Sequence, residues 1–386
     1  MGKINHFKVP SILLAMALLS CKSAPELDSE AKKTFAASNR SDLIKTMEIW
    51  RPVDTASLDL FLGGDNKYRF AQNVQCEYLD LPKSEYGTGR SPKFKCREKE
   101  SGNEIKVKYG VDNGEIYAEM AFSRLMYALG FFHDHYYPVR VSCSNCPKDP
   151  WDYIKRGEVN GNKPRAHGVV NFVPALIERK HKGDRIENKP NQGVTWEEFN
   201  DYYGLTHEQK KIRDAYILLM AFVQHVDAKP DQQRLVCLKK KSVKLADGSR
   251  FCEDAQFLVQ DGGWTFGGAF EFGERNIVAR MSLKHWKGYK VFKDKNTCLT
   301  NNRAVPFSGF KNKEISEDGR QFLADLLSKL SRDQIKDLFR ATRVDLRDEV
   351  LFSTPREETI EAWTSAFEEK VEEITSTKCP KKLLVL

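Results

Sequence analysis

The ten residues from His225 to Arg234, HVDAKPDQQR, place a histidine, two aspartates, two glutamines, a lysine and an arginine directly after the apolar run AYILLMAFV. A carboxylate, an ammonium and an amide so close together are the groups that phosphoryl transfer asks of a protein. That chemistry needs a carboxylate beside the acceptor hydroxyl, oxygen ligands for a divalent metal and positive charge on the phosphates, and most of its rate comes from positioning and electrostatics. Other ingredients follow in order along the chain. YGTGRS carries Gly87 and Gly89, which permit close backbone approach. IKVK carries Lys106 and Lys108, and the two-residue period of a strand puts both on one face. Glu115 and Glu119 come next, one helical turn apart, and FLVQDGG then sets Asp261 ahead of Gly262 and Gly263. Taken singly, each is ordinary: Asp227, Asp231 and Asp261 are turn-forming types, and strand lysines usually make a solvated face. Their shared order is what points to chemistry.

That order resembles the motif set of protein kinases. HVDAKPDQ is similar to the catalytic loop H-R-D-x-K-x-x-N, with His225, Asp227, Lys229 and Gln232 in register, and FLVQDGG is similar to the strand and loop of D-F-G. The resemblance implies that Asp227 orients or deprotonates the acceptor hydroxyl and that Lys229 lies near the transferred phosphoryl group. It also implies that Gln232 and Asp261 hold Mg²⁺. YGTGRS would cover the phosphates of ATP with Gly87 and Gly89, IKVK would match V-A-I-K, and ALIERK would be the hinge that meets adenine. Lys106 and Lys108 both fit the lysine, with register favouring Lys108; Glu119 would hold it, with Glu115 as the fallback. Two departures stand out: Gln232 replaces Asn, adding a methylene before the amide, and Gly262 replaces Phe. KVKYG, AEMAFSRLMYALGF and QQRLVC also resemble an uncharacterised group of bacterial exported lipoproteins over most of residues 65–380, which implies a shared fold. The wider likeness is to atypical and secreted kinases.

The elements that must position these groups are legible as patterns. YRFAQNVQCEYLDL, KFKCRE and EIKVKYG read as strands separated by a Gly/Ser/Pro-rich turn, and YYPVRVSC and HGVVNFVPALIERK as two more. In DNGEIYAEMAFSRLMYALG, Ile116, Met120, Leu125 and Leu129 recur at helical spacing and Gly130 is a natural stop. RLVCL and AQFLVQD predict short strands. Beyond them ISEDGRQFLADLLSKLS, RDQIKDLFRATRV and REETIEAWTSAFEEKVEEI predict helices, the first capped by Ser316.

The N-terminal MGKINHFKVPSILLAMALLSC has a basic start at Lys3 and Lys8 and an apolar run too short to span a bilayer. Its LLSC resembles the lipobox of bacterial lipoproteins, which implies cleavage before Cys21 and a lipid on that thiol; Lys22 favours the outer membrane. Cleavage lowers the formal net charge from +8 to +6, because Lys3 and Lys8 are lost. Sixty-two basic and 54 acidic residues are well mixed, and the one basic cluster, LKKKSVK, sits between two cysteines. Nucleic acid is therefore not an expected partner. A mean hydropathy of -0.55 excludes a polytopic membrane protein. Beyond Cys21, the eight cysteines of an exported chain pair most simply as Cys76–Cys96, Cys143–Cys146, Cys237–Cys252 and Cys298–Cys379. CSNC is also half a zinc site, although no second half follows.

The expectation is an α+β, bilobal, protein-kinase-like chain. It has a lipoprotein signal peptide at 1–20, a lipid-anchored tether at 21–50, a strand-rich N-terminal lobe at 51–180 and a helix-rich C-terminal lobe at 181–386. Its expected function is phosphotransfer in the bacterial cell envelope, with ATP and Mg²⁺ in an interlobe cleft and an unassigned acceptor. The alternative is a catalytically inactive, pseudokinase-like binding or scaffold lipoprotein. A zinc protein using Cys143 and Cys146 is the third reading.

Overall fold

The structure is a computed structural model that describes residues 40 and 43–380, apart from 65–66, 83, 85–88, 90, 156–167, 187–192, 202–205, 239–241, 245–249, 253–254, 272–276, 303, 305–307 and 347–357. The signal segment, Cys21 and most of the tether lie outside the described residues, as does Gly87.

Alternation of apolar and polar residues builds the first half. In β1 (Asn73–Tyr78) the residues Val74, Cys76 and Tyr78 are buried and their neighbours exposed. β2 (Lys93–Glu98) and β3 (Glu104–Tyr109) turn Phe94, Cys96, Ile105 and Val107 the same way. With β4 (His135–Ser144) and β5 (Val169–Arg179) they form a closed barrel in the order β1-β2-β3-β5-β4. Closure comes from a parallel pairing of β1 with β4, Asn73 opposite Arg140. This leaves the barrel without open edges. The strand content was expected; the closure was not.

A core of aromatic and β-branched side chains fills the barrel, including Tyr68, Tyr137, Val139 and Val141. A second, larger core gathers the helices. Helix α1 (Gly114–Leu129) contributes to that second core although it follows β3 directly, because almost every position on it is buried. A helix buried all round needs partners on several sides; α1 packs on β4 and on the later helix α7 (Arg332–Thr342). It ends where expected: Gly130 takes φ 80°, and a Cβ there would lie 2.1 Å from the Arg51 carbonyl oxygen. The other helices include α2 (Pro150–Lys155), α3 (Trp196–Asp201), α4 (His207–Phe222), α5 (Leu283–Gly288), α6 (Glu317–Ser328) and α8 (Ile360–Ser376). The Ser316 hydroxyl accepts the Gly319 N–H, as its position predicted, and donates to Asp214 Oδ2 at 2.6 Å.

Short strands run between these helices. β6 (Asp184–Ile186), β7 (Gln233–Cys237) and β10 (Gln256–Val259) make a three-stranded sheet, with hairpin β8 (Ser242–Lys244) and β9 (Arg250–Cys252) between β7 and β10. β11 (Ala269–Glu271) pairs with β12 (Ile277–Ala279), and β13 (Phe292–Asp294) with β14 (Leu299–Thr300). No helix among the described residues is long and apolar enough to cross a membrane.

Four disulfides join the eight described cysteines in the expected pattern: Cys76–Cys96 between β1 and β2, Cys143–Cys146, Cys237–Cys252 and Cys298–Cys379. Cys143 and Cys146 are bonded to each other, which removes both thiols from any zinc site and overturns the zinc reading.

Candidate functional site

The antiparallel pair β7–β10 sets two polar loops side by side, with Gln233 opposite Val259. One loop, His225–Gln232, leads into β7; the other, Gln260–Gly263, leaves β10. Main-chain bonds lock them together: Gln260 N–H to the Gln232 carbonyl at 2.8 Å, Val226 N–H to Trp264 at 3.0 Å and Phe266 N–H to Val223 at 2.7 Å. The buried His225 ring sits 5.7 Å from the Phe122 ring of α1. Burial holds its pKa down to about 4, against the opposing pull of Asp261, so the imidazole is neutral at physiological pH.

Across from these loops, the outer faces of β2 and β3 carry a block of lysines, as strand alternation requires. Lys106 bonds Glu178 of β5 at 2.5 Å, its register partner. Lys108 is 3% exposed and points at α1. Its ammonium donates to Glu115 Oε1 at 2.7 Å and to Glu119 Oε1, and lies 3.6 Å from Glu178. Glu115 and Glu119 reach one cation because residues four apart share a helix face. The structure therefore separates the two candidate lysines: Lys108 meets α1, and Lys106 braces the neighbouring strand.

Charge is shared unevenly here. Burial opposes the Lys108 ammonium, but Glu115, Glu119, Glu178 and Asp261 together hold its pKa well above the ordinary value. Glu115 is also buried, yet Lys108 and Arg280 pull its carboxyl down to about 2; Arg280 Nη1 lies 2.5 Å from it. Glu119 goes the other way. Burial, reinforced by Glu115, Asp261 and Glu178, pushes it well above the carboxylate range despite Lys108. Of the three glutamates around Lys108, Glu119 is the one whose carboxyl is shifted upward. Its Oε2 is buried with no hydrogen-bond partner.

Asp261 closes the group. Oxygen atoms of Glu115, Glu119 and Asp261 lie within 4.8 Å of one another, and the Asp261 carboxylate accepts the Gly263 N–H at 2.8 Å. The two glycines after it serve clearance. Neither has a positive φ. A Cβ on Gly263 would fall 2.3 Å from Glu115 Cγ, and one on Gly262 would fall 2.4 Å from the Phe122 ring. With no left-handed turn here to require them, their task is to let the loop lie flat on α1.

On the loop before β7, Asp227 Oδ2 is 3.0 Å from Lys229 Nζ. Burial raises Asp227 to about 6, with Asp261 and Asp231 adding to the rise and Lys229 opposing it. Asp227 and Lys229 both feel the charge of Asp261. Gln232 is buried at the base of the same loop. Gly89 is exposed near the start of β2. Lys108, Glu119, Asp227, Lys229 and Asp261 thus converge on one region, Lys106 borders it, and Gly87 and Cys21 lie outside the described residues. Residues 175–179 of the ALIERK segment are barrel strand, and Glu178 turns toward the lysines rather than away. Sequence reasoning did not single out Glu178, Arg280 or Lys93. Strand alternation could have flagged Lys93 and Glu178; Arg280 enters only through long-range folding.

No protein-family model matches the chain, and no curated protein is similar to it in sequence. The crystal structure of a Helicobacter pylori proinflammatory kinase, CtkA, is similar at a TM-score of 0.37 and 8% identity. The match covers 76% of this chain and 90% of that one. Functional weight falls on the side chains instead. An arrangement with a charged lysine, a cluster of oxygen ligands and a carboxylate poised near neutral pH can place phosphates, hold a hard divalent cation and accept a proton.

Proposed function

We propose that the chain is a kinase-like phosphotransferase of the bacterial cell envelope, built on a bilobal kinase-like arrangement and anchored through a lipid on Cys21. The LLSC motif and the four disulfides support the envelope location. The observation that carries the chemistry is the convergence of Lys108, bound to Glu115 and Glu119, with Asp261 and with the Asp227 loop that the β7–β10 pair holds beside it.

In this reading Asp227 takes the proton of the acceptor hydroxyl. Its carboxyl, raised to about 6, is ionised at neutral pH and basic enough to serve. Lys229 holds that carboxylate in place and supplies positive charge beside the transferred group. Gly89 lets the chain approach the phosphates of the nucleoside triphosphate. Asp261 and Gln232 would hold Mg²⁺, which supplies charge neutralisation on the phosphate oxygens. Asp261 also belongs, with Glu115 and Glu119, to a group of carboxylates whose oxygens lie within 4.8 Å of one another. An oxygen-only group of this kind suits a hard divalent cation, and the buried Oε2 of Glu119, which has no hydrogen-bond partner, would be satisfied by one.

The test is transfer of the γ-phosphoryl group from Mg–ATP, followed as autophosphorylation and as ATP hydrolysis. Wild type is expected to transfer, and Asp227→Ala to lose the transfer while keeping its fold. Equal rates in the two proteins sink the assignment of Asp227.

A further inference from the structure

Four lysines face outward from β2 and β3, in two cross-strand pairs: Lys93 opposite Lys108, and Lys95 opposite Lys106. Like charges set directly opposite repel, so each needs an acid. Lys95 has Glu104 at 2.8 Å, Lys106 has Glu178, and Lys108 has Glu115 and Glu119. Lys93 has none among the described residues. It is 5% exposed, and its ammonium instead rests 5.3 Å from the centre of the Trp151 ring. Directly above that ammonium is Gly89: a Cβ there would lie 2.4 Å from Lys93 Nζ.

Resting on the phosphotransferase reading, we propose that Lys93, rather than Lys108, is the ammonium that meets the terminal phosphates of the nucleoside triphosphate beneath Gly89. Lys108 is spoken for: two glutamates of α1 hold it, and its charge is spent on fixing the helix to the barrel. Among the described residues, Lys93 is the one of the four that has no acid in a salt bridge with it. Burial, with Lys106 and Lys108 close by, lowers its pKa to about 8 even though Glu115 and Glu178 oppose the shift. A polyanion arriving there restores the full charge and gives Lys93 the partner that its three neighbours already have. The Trp151 ring lies beside the ammonium, and the missing Cβ of Gly89 lets the ammonium come close under the main chain at that position.

The experiment measures binding of inorganic tripolyphosphate and of Mg–ATP by calorimetry to wild type, Lys93→Met and Lys93→Arg. Wild type is expected to bind both, Lys93→Met to weaken both at least tenfold with an unchanged melting temperature in the absence of ligand, and Lys93→Arg to recover part of the affinity. Undiminished binding by Lys93→Met overturns the role of Lys93 and leaves the phosphotransferase reading standing. Wild type that binds tripolyphosphate through Lys93 but not Mg–ATP overturns the nucleotide reading and keeps the anion site. Binding of neither overturns both. Wild type alone gives a second readout: acylation of the Lys93 amine by an N-hydroxysuccinimide ester, located by peptide mass spectrometry, should fall at least fivefold with saturating tripolyphosphate. Unchanged acylation contradicts the proposal.

Discussion

Phe122 of α1 occupies the space that any side chain at position 262 would need, with a Cβ at Gly262 falling 2.4 Å from its ring. The loop that carries Asp261 is thereby held flat against the helix that carries Glu119. Gly262→Ala is expected to overpack this contact and to cost about 1–3 kcal/mol. Combining it with Phe122→Leu should cost less than the sum of the two single changes, because the residues touch. Urea denaturation of the four proteins measures the coupling, and strict additivity would contradict the contact.

Lys108→Met removes the shared cation from a buried group of acids. Glu115 is then left ionised against Arg280 and the weaker pull of Lys93, and the expected loss is about 3–5 kcal/mol, as for breaking a buried pair from one side. Adding Glu119→Leu should recover part of it by removing one of the stranded acids. Lys106→Met, whose amine is partly exposed, should cost much less. Equal losses for the two lysines would show that they are not divided as the structure divides them.

Much of this site is visible in the sequence, because order and spacing along single elements survive without three dimensions. Period two placed Lys106 and Lys108 on one face, period 3.6 placed Glu115 and Glu119 on another, and cysteine spacing produced all four bridges. What escaped involves distant pieces of chain. The parallel pairing of β1 with β4 closes the barrel and leaves no local signature. The clearance role of Gly262 depends on Phe122, 140 positions earlier, and the isolation of Lys93 shows only once its neighbours' partners are known.

Asp134 is buried, with one oxygen accepting the His181 main-chain N–H at 2.7 Å and the other unpartnered. Burial raises its carboxyl from 3.8 to about 7, so the folded state binds a proton that the unfolded chain releases. Its contribution to stability therefore falls as pH rises between 3.8 and about 7. Asp134→Asn removes that slope and should be the more stable protein at pH 8, with the difference shrinking toward pH 4. Buried His133 acts on the acid side: burial lowers it from 6.5 to about 3, and its contribution is lost as pH falls through that range. Melting temperatures across pH test both, and a wild-type advantage at pH 8 would contradict the first.

The Cys298–Cys379 bridge spans 81 positions and ties the segment after α8 to the turn before β14. Loop-closure entropy for that span gives about 4–5 kcal/mol. The Cys298→Ala/Cys379→Ala protein should lose up to that amount, measured by denaturation. A denatured, unreduced wild-type chain should offer no reactive thiol beyond Cys21. Two or more thiols at the other positions would contradict the pairing.

The most direct measurement is the shift in melting temperature that Mg–ATP gives to wild type and to Asp261→Ala. A ligand that binds the folded state alone stabilises it by about 2.7 kcal/mol at a hundred times its Kd. The account predicts a rise of several degrees for wild type that needs both Mg²⁺ and nucleotide, and none for Asp261→Ala. No rise in wild type, or the same rise in both, would contradict it.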